Sequence, residues 1–205
     1  MFSRLLYNRL KVILEHEQTD EQMGFRPRRS TEDALLILET VTGRSLEYRM
    51  PLWFASLDLS KAFDRLEWAQ LFHALDLQGV PENYRHLLAA LYSHQKGTIP
   101  QLGEFPIFRG VKQGDVLSPI LFNAGLQLAM ERWKARLGPH GIKIDAQQGA
   151  ERLTNVRFAD DLIIYAKSES ELTAMLDMLA EELQNGGLAM NKRARFSIGQ
   201  RHCQV

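Results

Sequence analysis

The stretch RFADDLIIYA, residues 157–166, constrains this chain most, because it sets two adjacent aspartates, Asp160 and Asp161, between two apolar segments. Neighbouring carboxylates repel each other, and a buried carboxylate is costly unless it is paired or coordinates a cation. The flanking residues predict strand, turn and strand. Asp is also a favoured turn residue. A surface turn and a metal-bearing hairpin therefore both fit this stretch taken alone.

A third aspartate, Asp58, lies near the end of another apolar segment, PLWFASLDLS, which covers residues 51–60. Its apolar residues do not alternate cleanly, which predicts a strand buried on both faces. Asp58 could cap the following helix or bind a cation. If the two strands are neighbours, Asp58 and Asp160 lie within a few ångströms of each other. Converging carboxylates suit Mg²⁺, and two such ions about 3.5–4 Å apart support an in-line displacement at phosphorus.

Composition is that of a globular chain. The 205 residues are 45% hydrophobic and 24% charged, and 25 Lys and Arg balance 25 Asp and Glu. This balance argues against a generally basic nucleic-acid-binding surface but allows a local basic channel. A single cysteine, Cys203, excludes an internal disulfide and fits a reducing compartment. We expect no membrane span or secretory signal, and an intracellular location, nuclear or cytoplasmic.

Helices and strands are mixed rather than strictly alternating, which predicts an α+β fold. A capping box of Ser30 and Asp33 predicts the start of a helix that Gly43 ends or bends. The segment around Gly103 predicts a hairpin. Helical spacing predicts further helices over residues 2–16, near 64–77, over 81–95, over 118–137, and from a capping box of Ser168 and Glu171 to the pair Gly186 and Gly187.

Four segments in order resemble a known family. LDLSKAFDR, RGVKQGDVLSPILFN and FADDLIIYA resemble three polymerase motifs of reverse transcriptases, and QMGFRPRRSTEDAL resembles a preceding motif of the non-LTR (LINE-type) retrotransposon enzymes and their group II intron relatives. The resemblance runs from about Gln22 to Asn191. It implies a polymerase palm, an antiparallel sheet with helices packed on one face, and an RNA-directed DNA polymerase that adds dNTPs to a primer on an RNA or DNA template.

The resemblance assigns the catalytic and metal-binding residues. It implies that Asp58 and Asp160 hold two Mg²⁺ ions, with Mn²⁺ as an alternative, and that Asp161 supports them. The backbone at Leu59 is expected near the metals and the incoming triphosphate. Ser60, one residue further on, is expected at the dNTP.

The resemblance also assigns further residues to the dNTP. Phe63 is implied to lie under the sugar, where its ring leaves no room for a 2′-hydroxyl, although an aromatic residue at a strand–helix junction is also an ordinary core residue. Gln113 is implied to hydrogen-bond near the nascent base pair, and Gly114 allows close approach of the backbone. A plain loop before a helix is the alternative for these two residues.

Basic residues are candidates for nucleic-acid contact. Arg26 is a candidate for the triphosphate, and Arg28 and Arg29 for template phosphates, because guanidinium groups bind phosphate well. Lys192 and Arg193 are candidates for the nucleic-acid backbone. Solvated turns and faces are the alternative for both groups.

We expect residues 1–50 to be partial fingers and residues 51–205 to be palm, with a fingers-like hairpin near 97–108. Three departures from the family pattern bear on activity. An upstream fingers motif and a thumb are expected to be missing. Ala194 stands where the family commonly has a lysine. The chain is therefore expected to carry the catalytic residues but to need other polymerase segments, and a catalytically silent remnant that binds RNA or protein is the alternative.

Overall fold

A computed structural model describes residues 2–101, 103–143, 152–191 and 195–198. The chain divides into two compact units, each assembled from segments distant in sequence. The first unit comprises Met1–Thr19, Lys61–Ala129 and Leu183–Ala189; the second comprises Asp20–Ser60, Met130–Glu182 and Met190–Val205. Helices occur together with antiparallel strands, which confirms the predicted α+β class.

The helices are α1 (Phe2–His16), α2 (Thr31–Glu47), α3 (Ala62–Arg65), α4 (Trp68–Leu77), α5 (Glu82–Ser93), α6 (Ser118–Leu137) and α7 (Glu169–Asn185). The strands are β1 (Leu52–Asp58), β2 (Lys96–Ile99), β3 (Gly103–Pro106), β4 (Ile142–Lys143), β5 (Arg152–Leu153), β6 (Asn155–Phe158), β7 (Asp161–Ala166) and β8 (Arg195–Ile198). No helix in the described ranges is long and apolar enough to cross a membrane.

The second unit is built on a four-stranded antiparallel sheet with the order β6-β7-β1-β8. Its core on one face is a cluster of Met23, Leu52, Val156 and Tyr165, and apolar residues of α2 pack against it. β1 is buried on both faces, as predicted, because Leu52 lies on one face and Ala55 on the other. The sheet thus fixes the ends of β1 and β7, where the aspartates lie.

Local signals set the start of α2 but not its end. The Ser30 hydroxyl accepts a hydrogen bond from the Asp33 amide at 3.2 Å, and the Asp33 carboxylate accepts one from the Ser30 amide at 2.7 Å. This capping box confirms the predicted start. The prediction that the helix ends at Gly43 is wrong, since α2 continues to Glu47, and the alternative of a bend at Gly43 stays a prediction. A glycine costs a helix only about 1 kcal/mol, so the remaining residues of α2 can carry the helix through it.

The first unit contains α1, which confirms the helix predicted over residues 2–16, and its inner face buries Leu6, Leu10 and Leu14. The hairpin predicted around Gly103 is formed by β2 and β3. The single helix predicted near 64–77 is instead two helices, α3 and α4. The break falls at Leu66, which is fully buried and has an extended backbone with ψ 118°. Burying the Leu66 side chain therefore stabilises the fold more than continuing one helix through this residue would.

Candidate active site

The three predicted aspartates, Asp58, Asp160 and Asp161, lie at one end of the strand pair β1 and β7 of the second unit. Asp58 is the last residue of β1 and directly faces Asp161, the first residue of β7. Opposed residues of an antiparallel pair share a face, with Cβ atoms typically about 4.5–5.5 Å apart, and like charges in this position are destabilising. The pairing brings together the two aspartate segments predicted to converge. A cation bound there would relieve their repulsion.

Asp160 lies in the two-residue turn between β6 and β7, beside this pair. The Leu59 amide donates a hydrogen bond to the Asp160 carbonyl oxygen at 3.3 Å. Asp58 and Asp160 are half-buried, whereas Asp161 is exposed. The backbone after β1, where Leu59 and Ser60 were predicted to serve the metal and the triphosphate, is thus tied directly to the aspartate turn.

Asn191, which the sequence placed only at the end of the resemblance, contacts Asp58 twice. Its side-chain Nδ2 donates to Asp58 Oδ2 at 2.7 Å, and its backbone amide donates to the Asp58 carbonyl oxygen at 2.8 Å. These bonds fix both the side chain and the main chain of the aspartate. Its only sequence signal was an amide residue following an apolar stretch, which is too general to find it.

The donor set fits a hard divalent cation. Asp58, Asp160 and the Leu59 backbone offer oxygen atoms alone, which Mg²⁺ prefers over nitrogen or sulfur. In the portion of the chain that the structure describes, no group of three or more His, Cys, Asp or Glu side chains is arranged to hold a metal. The predicted set has two carboxylates and a backbone group, so any ion there would complete its coordination with water or substrate oxygens.

Phe63 belongs to the first unit, where it stacks on Phe122 with ring centroids 4.8 Å apart and an interplanar angle of 15°. Its carbonyl oxygen accepts a hydrogen bond from the Val111 amide at 2.7 Å. The ring is half-buried rather than fully enclosed. Phe63 is therefore held firmly in place and keeps part of its surface accessible.

Gln113 and Gly114 lie in the loop that this bond anchors. Gln113 is exposed, and its Nε2 donates to Asp64 Oδ1 at 3.3 Å. Gly114 has φ 82°, a conformation that side chains disfavour, and a Cβ there would meet no atom within 4 Å. The first unit thus brings together the predicted sugar-contact residue and the predicted base-contact loop.

The predicted basic contacts differ in their surroundings. Arg26 is half-buried and donates from Nη1 to the Gln22 carbonyl oxygen at 3.0 Å. Arg28 is exposed, and Arg29 forms an ion pair with Asp20 at 2.5 Å. Lys192, Arg193 and the departure at Ala194 fall outside the described residues.

A buried arginine, Arg157, was missed by sequence reasoning. It is fully buried in β6, and its backbone bonds to the loop before α2 through the Glu21 carbonyl oxygen at 2.7 Å and the Met23 amide at 2.8 Å. Burial lowers the pKa of Arg157 to about 10, while the carboxylates of Glu21 and Glu131 oppose that shift. The guanidinium therefore carries its charge at neutral pH. It lies two residues before the turn that carries Asp160.

The sequence as a whole matches one protein family over almost its entire length. The family model for reverse transcriptase (RNA-dependent DNA polymerase) matches residues 1–193. This chain belongs to the reverse transcriptase family.

Among curated relatives of this chain, the Pol polyprotein of the type-2 retrotransposable element R2DM of Drosophila melanogaster is 34% identical over 87% of the chain and 17% of the relative. A Pol polyprotein of the type-1 retrotransposable element R2 of Popillia japonica is 30% identical over 97% of the chain and 28% of the relative. The chain therefore spans less than a third of the length of either protein.

Solved structures share the fold of this chain. Telomerase from Candida albicans, in complex with a TWJ fragment of telomeric RNA, aligns over 98% of this chain and 35% of its own, with a TM-score of 0.73 and 14% identity. Telomerase from Candida tropicalis aligns over 94% and 33%, with a TM-score of 0.70 and 15% identity. At these identities the likeness extends to the fold.

Proposed function

We propose that this chain supplies the palm and part of the fingers of an RNA-directed DNA polymerase that adds dNTPs to a primer 3′-end. The observation that carries this proposal is the register of the central sheet, which sets Asp58 opposite Asp161 and beside the turn bearing Asp160. Family membership supports the same reaction. In this proposal residues 1–50 are partial fingers and residues 51–205 palm, and the β2–β3 hairpin is the fingers-like insertion.

We propose that Asp58, Asp160 and the Leu59 backbone bind two Mg²⁺ ions, with Mn²⁺ as an alternative. Ions bound there would activate the primer 3′-oxygen and stabilise the leaving pyrophosphate. Asp161 adds negative charge beside the two ligands. The oxygen-only donor set and the close pairing of like charges support this assignment.

The remaining predicted residues are proposed to bind the nucleotide and the nucleic acid. Phe63 would exclude a 2′-hydroxyl, and its stacking on Phe122 supports this role because it holds the ring still. Gln113 and Gly114 would lie at the nascent base pair. The triphosphate is assigned to Ser60 and Arg26, and an RNA template and DNA primer to Arg28, Arg29, Lys192 and Arg193. A structural neighbour contains telomeric RNA, which is consistent with such partners.

The test is primer extension by the chain joined to a thumb segment of a related element, with template–primer, dNTPs and Mg²⁺. Asp58→Asn and Asp160→Asn are each expected to lower the extension rate by at least about 10³-fold, because the ions lose a charged ligand. Asp177→Asn, on the exposed face of α7, is the matched control and should extend normally. Normal extension by either active-site variant contradicts the proposal.

A catalytically silent remnant that binds RNA is the second candidate, and Ala194 at the usual lysine position favours it. In that case the wild-type chain joined to a thumb binds RNA but fails to extend a primer. Replacing Ala194 by lysine would then be expected to restore extension. Wild-type extension at a rate independent of Ala194→Lys excludes the remnant.

A further inference from the structure

A buried glutamine, Gln22, binds the turn that carries Asp160. Its side chain is fully buried in the loop before α2. The Oε1 atom accepts hydrogen bonds from the amides of Ala159 at 3.0 Å and Gly24 at 2.9 Å. The Nε2 atom donates to the Ala159 carbonyl oxygen at 3.4 Å. One amide side chain therefore serves both polar backbone groups of the residue immediately before Asp160.

The turn needs such support because Ala159 has φ 57°, in the left-handed region that residues with a Cβ disfavour. Ala159 is itself buried, so its amide and carbonyl groups are shielded from water. Backbone groups left unpaired in such a position destabilise that conformation. The hydrogen bonds of Gln22 thus favour the strained turn over relaxed alternatives that would redirect Asp160.

The backbone around Gln22 closes on the same turn. Gln22 forms a parallel bridge with Arg157 in β6. A Cβ on Gly24 would lie 2.2 Å from the Ala159 nitrogen, so the two main chains touch directly. The loop before α2 and the aspartate turn are therefore packed as one piece, with Gln22 as the polar link between them.

We propose that Gln22 is a positioning residue, which holds the Ala159 backbone and thereby sets the position of the Asp160 carboxylate. The inference rests on the proposed function, since it assigns to Gln22 the geometry of a metal ligand. Gln22 acts through Ala159 and has no part in the chemistry itself. Its hydrogen bonds, rather than its volume, are the decisive property.

The test separates hydrogen bonding from packing. Gln22→Met keeps the length of the side chain but loses its polar atoms, whereas Gln22→Glu keeps the volume and an acceptor but sets a carboxylate oxygen against the Ala159 carbonyl oxygen. For the chain joined to a thumb, Gln22→Met is expected to lower kcat by about 10²-fold, the scale of a misplaced catalytic group, and to leave KM for dNTP nearly unchanged. Gln22→Glu should also lower kcat, because its buried carboxylate repels the Ala159 carbonyl oxygen even though the volume of the side chain is kept.

Gln78→Met is the matched control, because Gln78 is also buried and donates from Nε2 to the Ala124 carbonyl oxygen at 2.9 Å. It should lower thermal stability without lowering kcat. If Gln22→Met fails to fold, Gln22→Asn replaces it, since the shorter side chain keeps its polarity but withdraws the acceptor from Ala159. Gln22→Asn is expected to show the same loss of kcat.

Two readouts do not depend on activity. Mn²⁺ binding, followed by electron paramagnetic resonance, is expected to weaken about tenfold in Gln22→Met and to stay unchanged in Gln78→Met. Hydrogen exchange of the Ala159 amide should accelerate in Gln22→Met alone. Wild-type Mn²⁺ affinity and kcat in Gln22→Met overturn the inference and leave the proposed function standing. If the wild-type chain never extends a primer, but Gln22→Met still weakens Mn²⁺ binding and accelerates exchange of the Ala159 amide, the proposed function is overturned and the positioning role is supported.

Discussion

At the scale of single residues, two amide side chains hold the aspartate segments, since Asn191 bonds to Asp58 and Gln22 bonds to the Ala159 backbone next to Asp160. Asp58 and Asp160 could be found because carboxylates next to apolar strands are unusual. Asn191 and Gln22 could not, because an amide side chain is common in loops and its role depends on distant backbone partners. The roles of both residues follow from their contacts in the folded chain, where Asn191 bonds to Asp58 and Gln22 bonds to Ala159.

The contact between Asn191 and Asp58 leads to a prediction. Asn191→Ala removes a hydrogen bond to a charged group, worth about 1.5–3 kcal/mol, and should lower kcat by at least roughly tenfold. Asn191→Asp should lower kcat further, because it sets a second carboxylate beside Asp58. Steady-state primer extension measures both. Asn83→Ala, at an exposed position of α5, should be neutral, and wild-type kcat in Asn191→Ala would show that Asp58 needs no such support.

At the scale of elements, capping boxes and apolar spacing located most helices and strands, because those signals act over a few neighbouring residues. The breaks were harder to predict. The helix α2 runs through Gly43, while the chain interrupts the segment 62–77 at buried Leu66 without any glycine or proline there. Tertiary burial decides such breaks, and burial depends on partners that local periodicity does not reveal.

Two glycines test this distinction. Both Gly43 and Gly79 have open space where a Cβ would stand, but only Gly79 has a positive φ, 72°. Gly43→Ala should therefore stabilise the fold by about 1 kcal/mol, the helix preference of alanine over glycine. Gly79→Ala should destabilise it by about 1–2 kcal/mol, the cost of a left-handed alanine. Urea unfolding measures both, and equal shifts for the two variants would contradict the argument.

At the scale of the whole molecule, the sequence predicted the α+β class and the polymerase family, but not how the segments group. The predicted domains were consecutive stretches divided at residue 50, and that division stays a prediction. The two compact units are interleaved along the chain, so that residues 61–129 fall in one and residues 130–182 in the other. Interleaving arises from pairing between distant segments, such as β1 with β7, which composition does not record.

Stability at high pH depends on buried tyrosines in both units. Burial raises the pKa of Tyr92 to about 12, the carboxylate of Asp115 adds to the shift, and a hydrogen bond with Ser118 opposes it. Burial also raises the pKa of Tyr165. Because an unfolded tyrosine ionises near pH 10, the unfolded state loses its proton first. The stabilising effect is complete below about pH 10 and declines as the pH rises toward the folded value.

Tyr92→Phe should therefore reduce the loss of unfolding free energy on going from about pH 8 to about pH 11, by up to about 1.4 kcal/mol per pH unit above 10. Urea unfolding at the two pH values measures this loss. Tyr48→Phe, at an exposed position, is the control and should lose as much stability as the wild type. An unchanged alkaline loss in Tyr92→Phe would show that other groups govern it.

The order of the strands has a consequence for the protein while it is being synthesised. β1 is made before its neighbours in the sheet, β7 and β8, which begin only at Asp161 and Arg195. At a translation rate of about 5–20 residues per second, β1 waits about 5–20 s for its first partner. An apolar strand with two open edges invites pairing with other chains during that interval. On the ribosome, the strand that ends in Asp58 is therefore open to pairing with other chains until β7 has been made.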